Sequence, residues 1–346
     1  MGVLNGVSDF FGLDIGSNAI RVVQLRSSGK YKSLVRYAYA PVDTKLAMSD
    51  AKADQKNLSE AVANVVRNAR LTTNNVAVGI PSQKVFTTVF DIDNLPMEEL
   101  AKAIRYQADS LIPTPIDESK VDWAVLGQSP KDPKKVEILL SSVTNAYIES
   151  RLDVLEAIGL NVIAFEPDGI ALARAVTAPD NNAPQMAIDI GTLSTDLVIT
   201  VNGAPRLTRS IPTGTDAIVK SAMQGLNVDA KQAQQFVFKF GISKDKLEGQ
   251  VYNAIIGTVD ILVSEIEKSI KFFQSRYPNI AVQRVIVTGG ASTLPELPLY
   301  IANKFNISVE IGNAWRNISF SADRQNELAA VSNYFAVAAG LAERKE

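Results

Sequence analysis

The sequence predicts an α/β fold of two similar lobes, with a small α+β insertion in the first and a helical insertion in the second. Three observations carry that expectation. Strand-like and helix-like segments interleave along nearly all 346 residues. The stretch DIGSNAIRVVQL, beginning at Asp14, is echoed by DIGTLSTDLVIT, beginning at Asp189, about half a chain later. Two segments, 83–143 and 215–283, break the alternation. The expected division is therefore 1–82 with 144–180 as lobe 1, 83–143 as its insertion, 184–214 with 284–346 as lobe 2, and 215–283 as a helical subdomain.

Composition narrows the chemistry. Lysine and arginine number 35 against 37 acidic residues, a net charge of −2, so no basic excess exists to neutralise nucleic-acid phosphates. No apolar run reaches the roughly 18 residues a membrane span needs; Tyr334–Ala342 is far too short. The opening MGVLNGVSDFF lacks the basic flank and long apolar core of a secretory signal, and Val3, Leu4, Val7, Phe10 and Phe11 are expected to seat the terminus on the domain. The chain has no histidine and no cysteine. That excludes a Cys or His nucleophile, a His base, zinc fingers and Cys-held iron–sulfur clusters. A bound metal would be held by oxygen, which points to magnesium. The lack of cysteine is consistent with a cytosolic setting.

In order along the chain, GLDIGS, AIRVVQLRS and SLVRYAYAPV read as strands, with a turn at Ser27-Ser28-Gly29-Lys30 between the last two. Apolar residues at 58, 61, 62, 65, 66 and 69 give Asn57–Ala69 a helical period. VAVGIP is a buried strand. In the insertion, FTTVFDI is a strand and PMEELAKAIRYQADSLIP an amphipathic helix, with Pro96 at its start, Glu98 and Glu99 in its first turn and Pro113 after its end. VDWAVLGQS and KKVEILLSSV are strands joined by the turn SPKDPK. The alternation then resumes with helix AYIESRLDVLEAIG, strand NVIAFEP and helix DGIALARAV. AIDIGTLSTDLVIT is a strand pair, APRLTRSIPTG follows, and Thr215–Gln283 is nearly all helical, with apolar positions at 259, 262, 263, 266, 270 and 273. RVIVTGGAS is a strand ending in a glycine turn, LPELPLYIANKF a helix, and ELAAVSNYFAVAAGLAE one closing apolar helix.

The repeated motif places a carboxylate inside an apolar strand twice, which is costly without a partner. After each Asp come a glycine, which lets backbone approach a phosphate closely, and a hydroxyl residue; successive N–H groups of such a turn can form an anion-binding nest. Two hairpins with Asp14 and Asp189 converging on one Mg-triphosphate would explain both carboxylates. An Asp that merely caps a local turn is the bland alternative, weakened by two copies at half-chain spacing. VTGGAST, at 287–293, adds a strand ending in Gly-Gly before a helix. Neither a GxxxxGK[ST] loop nor a GxGxxG motif is present.

With these three elements in this order the sequence resembles the actin-like ATPase superfamily, whose fold is ribonuclease H-like. Within it the sequence is similar to the PilM family of type IV pilus assembly proteins, through LDIGSNAIRVVQL, VGIPSQKVFTTVFDIDNLPMEELAKAIRYQADSLIP, AFEPDGIALARA, MAIDIGTLSTDLVI, SEIEKSIKFF and VTGGASTLPELPLYI. The resemblance implies ATP or ADP with Mg as cofactors, and Asp14 and Asp189 as the magnesium-side aspartates, acting through water. It implies Gly16, Ser17 and Asn18 as the first phosphate hairpin, with Arg21 where many relatives carry Lys. Gly191, Thr192 and Thr195 would form the second, although Leu193 stands where actin has another glycine. Gly289, Gly290 and Ser292 would form the adenosine hairpin, and Gly214 a crossing glycine. Glu265 and Lys268 match ribose and adenine contacts, or are a solvated ion pair three apart on a helix. Glu166 matches a water-positioning carboxylate, or is a helix-start residue.

The resemblance implies a cytoplasmic nucleotide-binding scaffold more than a fast ATPase, held at the inner face of the cytoplasmic membrane by the cytoplasmic tail of a PilN-like inner-membrane protein. Contacts to other platform and motor proteins and self-association are further implications. Phe86, Phe90, Leu95, Ile104 and Leu111 could line a tail groove or form the insertion's own core. An FtsA-like filament protein is one alternative, but AGLAERKE is too short and too acidic for a membrane-binding end helix. A small-molecule kinase is another; Asp168 and Asp216 are available as bases, but neither lies in a sugar-kinase motif.

Overall fold

The computed structural model describes residues 9–28, 31–49, 51–178 and 183–345. Val3, Leu4 and Val7, and Gly29 and Lys30 of the expected turn, lie outside them.

The first sheet has six strands, in the order 318–319, 31–41, 19–28, 11–15, 75–80 and 161–167. Strands β1 (Phe11–Ile15), β2 (Ala19–Ser28) and β3 (Tyr31–Pro41) run antiparallel, followed by helices α1 (Thr44–Met48) and α2 (Lys52–Ala69). Strand β4 (Asn75–Ile80) lies parallel to β1. Leu58, Val62, Val65 and Ala69 form the buried stripe of α2 against Phe11, Leu13, Ile20 and Val22. The helix ends where Arg70 turns left-handed, φ 52°.

The chain then leaves this sheet for β5 (Phe86–Asp93), α3 (Met97–Leu111), β6 (Ser119–Gln128) and β7 (Lys135–Thr144), a three-stranded sheet ordered β5-β7-β6. Alternation decides its two faces. Phe90, Ile92, Val136, Ile138 and Leu140 pack on Leu100, Ile104 and Ala108 of α3, with Phe86, Leu95 and Leu111 partly buried against them. The five apolar residues that could have lined a partner groove thus belong to the insertion's own core.

The opposite face is charged. Asp91 and Glu137 stand directly across from each other in the β5–β7 register, where like charges repel. Arg276 bridges them, its Nη2 at 3.0 Å from each carboxylate. Tyr277 donates its hydroxyl to Glu137 at 2.7 Å, and Arg206 Nε sits 3.2 Å from its other oxygen. Glu137 is 2% exposed, so this cluster fastens the insertion to the second half of the molecule.

Helix α4 (Asn145–Glu156), capped by Thr144, returns to the first sheet through β8 (Asn161–Pro167), and α5 (Asp168–Val176) follows. The second sheet is built from β9 (Gln185–Ile190), β10 (Thr195–Val201), β11 (Ala204–Ile211), and, later in the chain, β12 (Arg284–Thr288) and β13 (Ser308–Ile311), ordered β11-β10-β9-β12-β13. β11 and β9 are antiparallel to β10, and β12 is parallel to both β9 and β13. The same order and directions recur in β3-β2-β1-β4-β8. The half-chain repeat of the sequence is therefore a repeat of sheet topology.

Between β11 and β12 come α6 (Thr215–Leu226), α7 (Ala230–Phe240), which Asp229 caps, and α8 (Gln250–Arg276). The expected stripe of α8, Val259 to Phe273, is buried. Helix α9 (Leu297–Phe305) begins three residues later than LPELPLYIANKF suggests, because Glu296 sits at φ 68°. Strands β13 and β14 (Ile318–Ser319) and helix α1 are short and have no sequence period to betray them.

The closing helix is not continuous. α10 (Gln325–Val331) and α11 (Ala336–Ala342) are separated by a tighter turn at Ser332–Tyr334. α11 is buried on all sides, as its unbroken apolar run requires. A Cβ on Gly340 would lie 1.9 Å from Ala171 O, and one on Gly12 2.3 Å from Ala338 O. Glycines at these contacts let α11 press between α5 and β1. Among the described residues, no helix is long and apolar enough to cross a membrane.

Candidate functional site

The β1–β2 and β9–β10 turns line one cleft of about 800 Å3, a size suited to a small-molecule ligand. The turns have the same geometry. Gly16 N–H donates to Ala19 O at 3.0 Å, and Gly191 N–H donates to Ser194 O at 2.9 Å. Ser17, Asn18, Thr192 and Leu193 line the cleft beside them.

The cross-strand partners differ, and this sets the electrostatics. In the first hairpin Asp14 lies opposite Arg21, whose Nη1 is 3.2 Å from its carboxylate. In the second, Asp189 lies opposite Asp196. One hairpin is neutralised internally; the other carries two carboxylates face to face. Asp168, the first residue of α5, adds a fourth carboxylate to the cleft. Its Oδ1 is buried without a hydrogen-bond partner, and a Cβ on Gly79 would fall 2.2 Å from that atom. Gly79 is what leaves Asp168 room.

Burial, then Asp196, push Asp189 up to about 7, against the pull of Arg21 and a hydrogen bond from Thr288. Burial pushes Asp196 up to about 6. Asp168 is held well above the usual carboxylate range by burial and then by Asp14, Asp196 and Asp189. Burial also raises Asp14, although Arg21 opposes it. An all-oxygen donor set of this kind suits a hard cation, and the unpartnered Asp168 Oδ1 is a free oxygen of that kind. Among the described residues, no three acidic groups close into a metal-ligand set by themselves.

Around the carboxylates, glycines give way to other atoms. Gly289 has φ 83°, and a Cβ there would lie 2.3 Å from Asp189 Oδ1. Gly290 follows it in the cleft wall. A Cβ on Gly214 would lie 2.5 Å from Thr192 O and 2.6 Å from Gly191 O. Thr215 N–H and Asp216 N–H donate to those same two carbonyls, at 2.9 and 3.0 Å, so the start of α6 is stitched to the second turn. Thr195 and Ser292 are wholly buried behind the cleft. Thr195 Oγ1 donates to Thr213 O at 2.8 Å, and Ser292 Oγ to Gly289 O at 2.7 Å. Asn333 fastens the Gly289 turn by donating to Gly289 O and Ser292 Oγ and accepting from Gly289 N–H. The break between α10 and α11 is what brings Asn333 and Tyr334 there.

Three expected residues stand elsewhere. Glu166 does not line the cleft. Its carboxylate turns towards α11, where Arg174 grips it through both guanidinium nitrogens and Arg344 Nη1 lies at 3.4 Å. The carboxylate is thus doubly paired and 4% exposed. Glu265 and Lys268 also lie off the cleft, paired with each other at 2.5 Å, and Arg209 holds Glu265 at 2.7 Å. The helices of the second insertion that face the cleft are α6, through Thr215, Asp216 and Val219, and α7, through Lys231, Gln234 and Phe238, whose spacing of three and four puts them on one side. The sequence did not point to α7 at the cleft, since α7 presents lysine and glutamine, whereas Glu265 and Lys268 offer a charged pair at helical spacing. Asp196 was legible as the register partner of Asp189 once the two hairpins are aligned.

A family model for "Type IV pilus assembly protein PilM" matches residues 12–346. The chain is similar to the solved structure titled "PilM-PilN type IV pilus biogenesis complex", with TM-score 0.82 and 24% identity over 96% of this chain and 97% of that one. It also resembles the ethanolamine utilization protein EutJ from Carboxydothermus hydrogenoformans, TM-score 0.57 and 14% identity over 96% and 88%. A third likeness is MreB5 of Spiroplasma citri bound to ADP, TM-score 0.54 and 13% identity over 96% and 95%. At these identities the structures speak for a shared actin-like fold. With its match spanning all but the first eleven residues, the chain belongs to the family of type IV pilus assembly protein PilM.

Proposed function

We propose that this chain is a Mg-nucleotide-binding scaffold of a type IV pilus assembly platform, lying at the inner face of the cytoplasmic membrane. There it holds the cytoplasmic tail of a PilN-like membrane protein. The observation that carries the nucleotide half is the pair of equivalent turns, each with a buried carboxylate behind it, meeting in one cleft. The backbone N–H groups of Gly16, Ser17 and Asn18, and of Gly191 and Thr192, would receive phosphate oxygens. Asp14 and Asp189 would hold Mg through its waters, with Asp168 and Asp196 reinforcing the charge. The ion supplies neutralisation between carboxylates and phosphates. Arg21 stands at the same tip, and Gly289 and Gly290 would lie flat beneath the nucleoside. The ribose and base contacts are assigned to Lys231 and Gln234 in place of Glu265 and Lys268. Thr195, Ser292 and Gly214 shape the walls.

ADP held by a protein of this fold supports the cofactor reading, and the likeness to the PilM–PilN complex supports the partner. Residues 1–82 with 144–180 and 184–214 with 284–346 would act as two bodies about the cleft, carrying 83–143 and 215–283. With Glu166 committed to an ion pair, the cleft binds nucleotide as a shape-setting ligand more than as a substrate for rapid turnover. Co-purification with tagged cytoplasmic tails of pilus inner-membrane proteins, with and without Mg-ATP, tests this. Retention of a PilN-like tail is expected, altered by Mg-ATP. A protein that retains no tail and phosphorylates a sugar would contradict it.

A further inference from the structure

A second groove, of about 670 Å3, lies between the insertion and the second sheet, away from the nucleotide cleft. Its walls are Thr87–Val89 of β5, Leu139 of β7, Lys131 of the β6–β7 turn, Arg206–Arg209 of β11, and one side of α8 from Lys268 to Arg276. Five of the lining side chains are cationic and none is acidic. The carboxylates that balance them sit behind: Asp91 and Glu137 are taken by Arg276 and Arg206, and Glu265 is shared between Arg209 and Lys268. Three carboxylates serve five cations, leaving a surplus of two positive charges. Lys131 makes no ion pair among the described residues. Arg206 is 9% exposed at its side chain, and its Nη1 has no hydrogen-bond partner, although Nε and Nη2 are engaged.

Two more features define the shape of an occupant. β5 is the outer strand of the three-stranded sheet and β11 the outer strand of the second sheet, and the two come close to each other beside the groove; among the described residues neither has a ladder partner on its outer side. An exposed strand edge is a template for an added strand. On α8, Phe272 is 65% exposed beside this groove, one turn beyond Lys268. The geometry points to a docking site for an extended, acidic peptide segment of a protein partner. Its backbone would pair with an open edge, its carboxylates would meet Lys131, Arg206 and Arg209, and an apolar side chain would rest on Phe272. The site is independent of the nucleotide reading, because none of its residues lines the other cleft.

The probe is a fluorescein-labelled octapeptide alternating Glu and Val, measured by anisotropy against the full chain, with Gln/Val and Lys/Val octapeptides as counterparts. Saturable binding of the Glu peptide is expected, weakened by salt. Lys131→Glu should lower the affinity at least fivefold, and Lys131→Glu with Phe272→Ser more than twentyfold, at unchanged circular dichroism. Lys45→Glu, an equal change of net charge on α1, should leave it unaltered. Equal binding of all three peptides, an equal loss in Lys45→Glu, or full displacement by millimolar inorganic phosphate would overturn the proposal. The last result would make this a small-anion site.

Discussion

Asp189 and Asp196 face each other across one β-ladder, an arrangement that opposes folding so long as both are ionised. A carboxyl whose native pKa lies above its unfolded 3.8 stabilises the fold fully below pH 3.8. That contribution is lost as pH rises through its native value, about 7 for Asp189. The ligand-free protein is therefore expected to lose thermal stability between pH 4 and 7. Asp189→Asn should flatten that decline and stabilise the fold at pH 8 by on the order of 2 kcal/mol, read as a higher melting temperature, while removing Mg-dependent nucleotide binding. Calorimetric titration with Mg-ATP at pH 6.5 in buffers of different ionisation enthalpy should show protons released on binding; no release would contradict the pairing of Asp189 with the ion. Gly289→Ala is expected to lower nucleotide affinity at least tenfold, since its methyl would occupy the place of Asp189 Oδ1. At this scale the sequence was informative wherever a residue type repeats: Asp14 and Asp189 were legible, as were the glycines. The setting of Glu166 was not legible, because nothing in AFEPDGIA reveals that Arg174 and Arg344 pair with its carboxylate.

At the scale of elements, α7 lines the cleft whereas Glu265 and Lys268 of α8 do not, which is the ground for the proposed nucleoside contacts. Lys231→Ala is expected to weaken ATP binding about five- to tenfold, and Glu265→Ala to leave it within twofold; fluorescence titration with an ATP analogue reads both. The insertion hangs on Glu137. Glu137→Ala leaves the half-buried Arg206 and Arg276 beside an empty place and should destabilise the chain by about 3 kcal/mol. Hydrogen exchange in β5 and β7 should rise more than in β9 or β12; uniform protection would contradict a fastening role. The long periodic elements, α2, α3 and α8, could be read from the sequence because burial imposes a period on it. α1, β13 and β14 could not, being too short to carry one. The closing helix read as continuous because its apolar residues run past the break, whereas Asn333, 4% exposed, is drawn out of helical geometry by its hydrogen bonds to the Gly289 turn.

At the scale of the whole molecule, two sheets of matching strand order present one turn each to a single cleft, and only the first carries a counter-ion across its own hairpin. The repeat was visible in the sequence because both copies keep Asp-Ile-Gly. The substitution of Asp196 for the counterpart of Arg21 gained its meaning only from the strand register. On the proposed function, nucleotide and Mg would be the structural complement of the second hairpin. Equilibrium titration of the wild-type chain with a fluorescent ATP analogue, with Mg and then with excess chelator, tests this most directly. Saturable, stoichiometric binding that falls at least tenfold on chelation, and is absent in both Asp14→Ala and Asp189→Ala at unchanged fold, is the expected result. Wild-type affinity in both variants would contradict it.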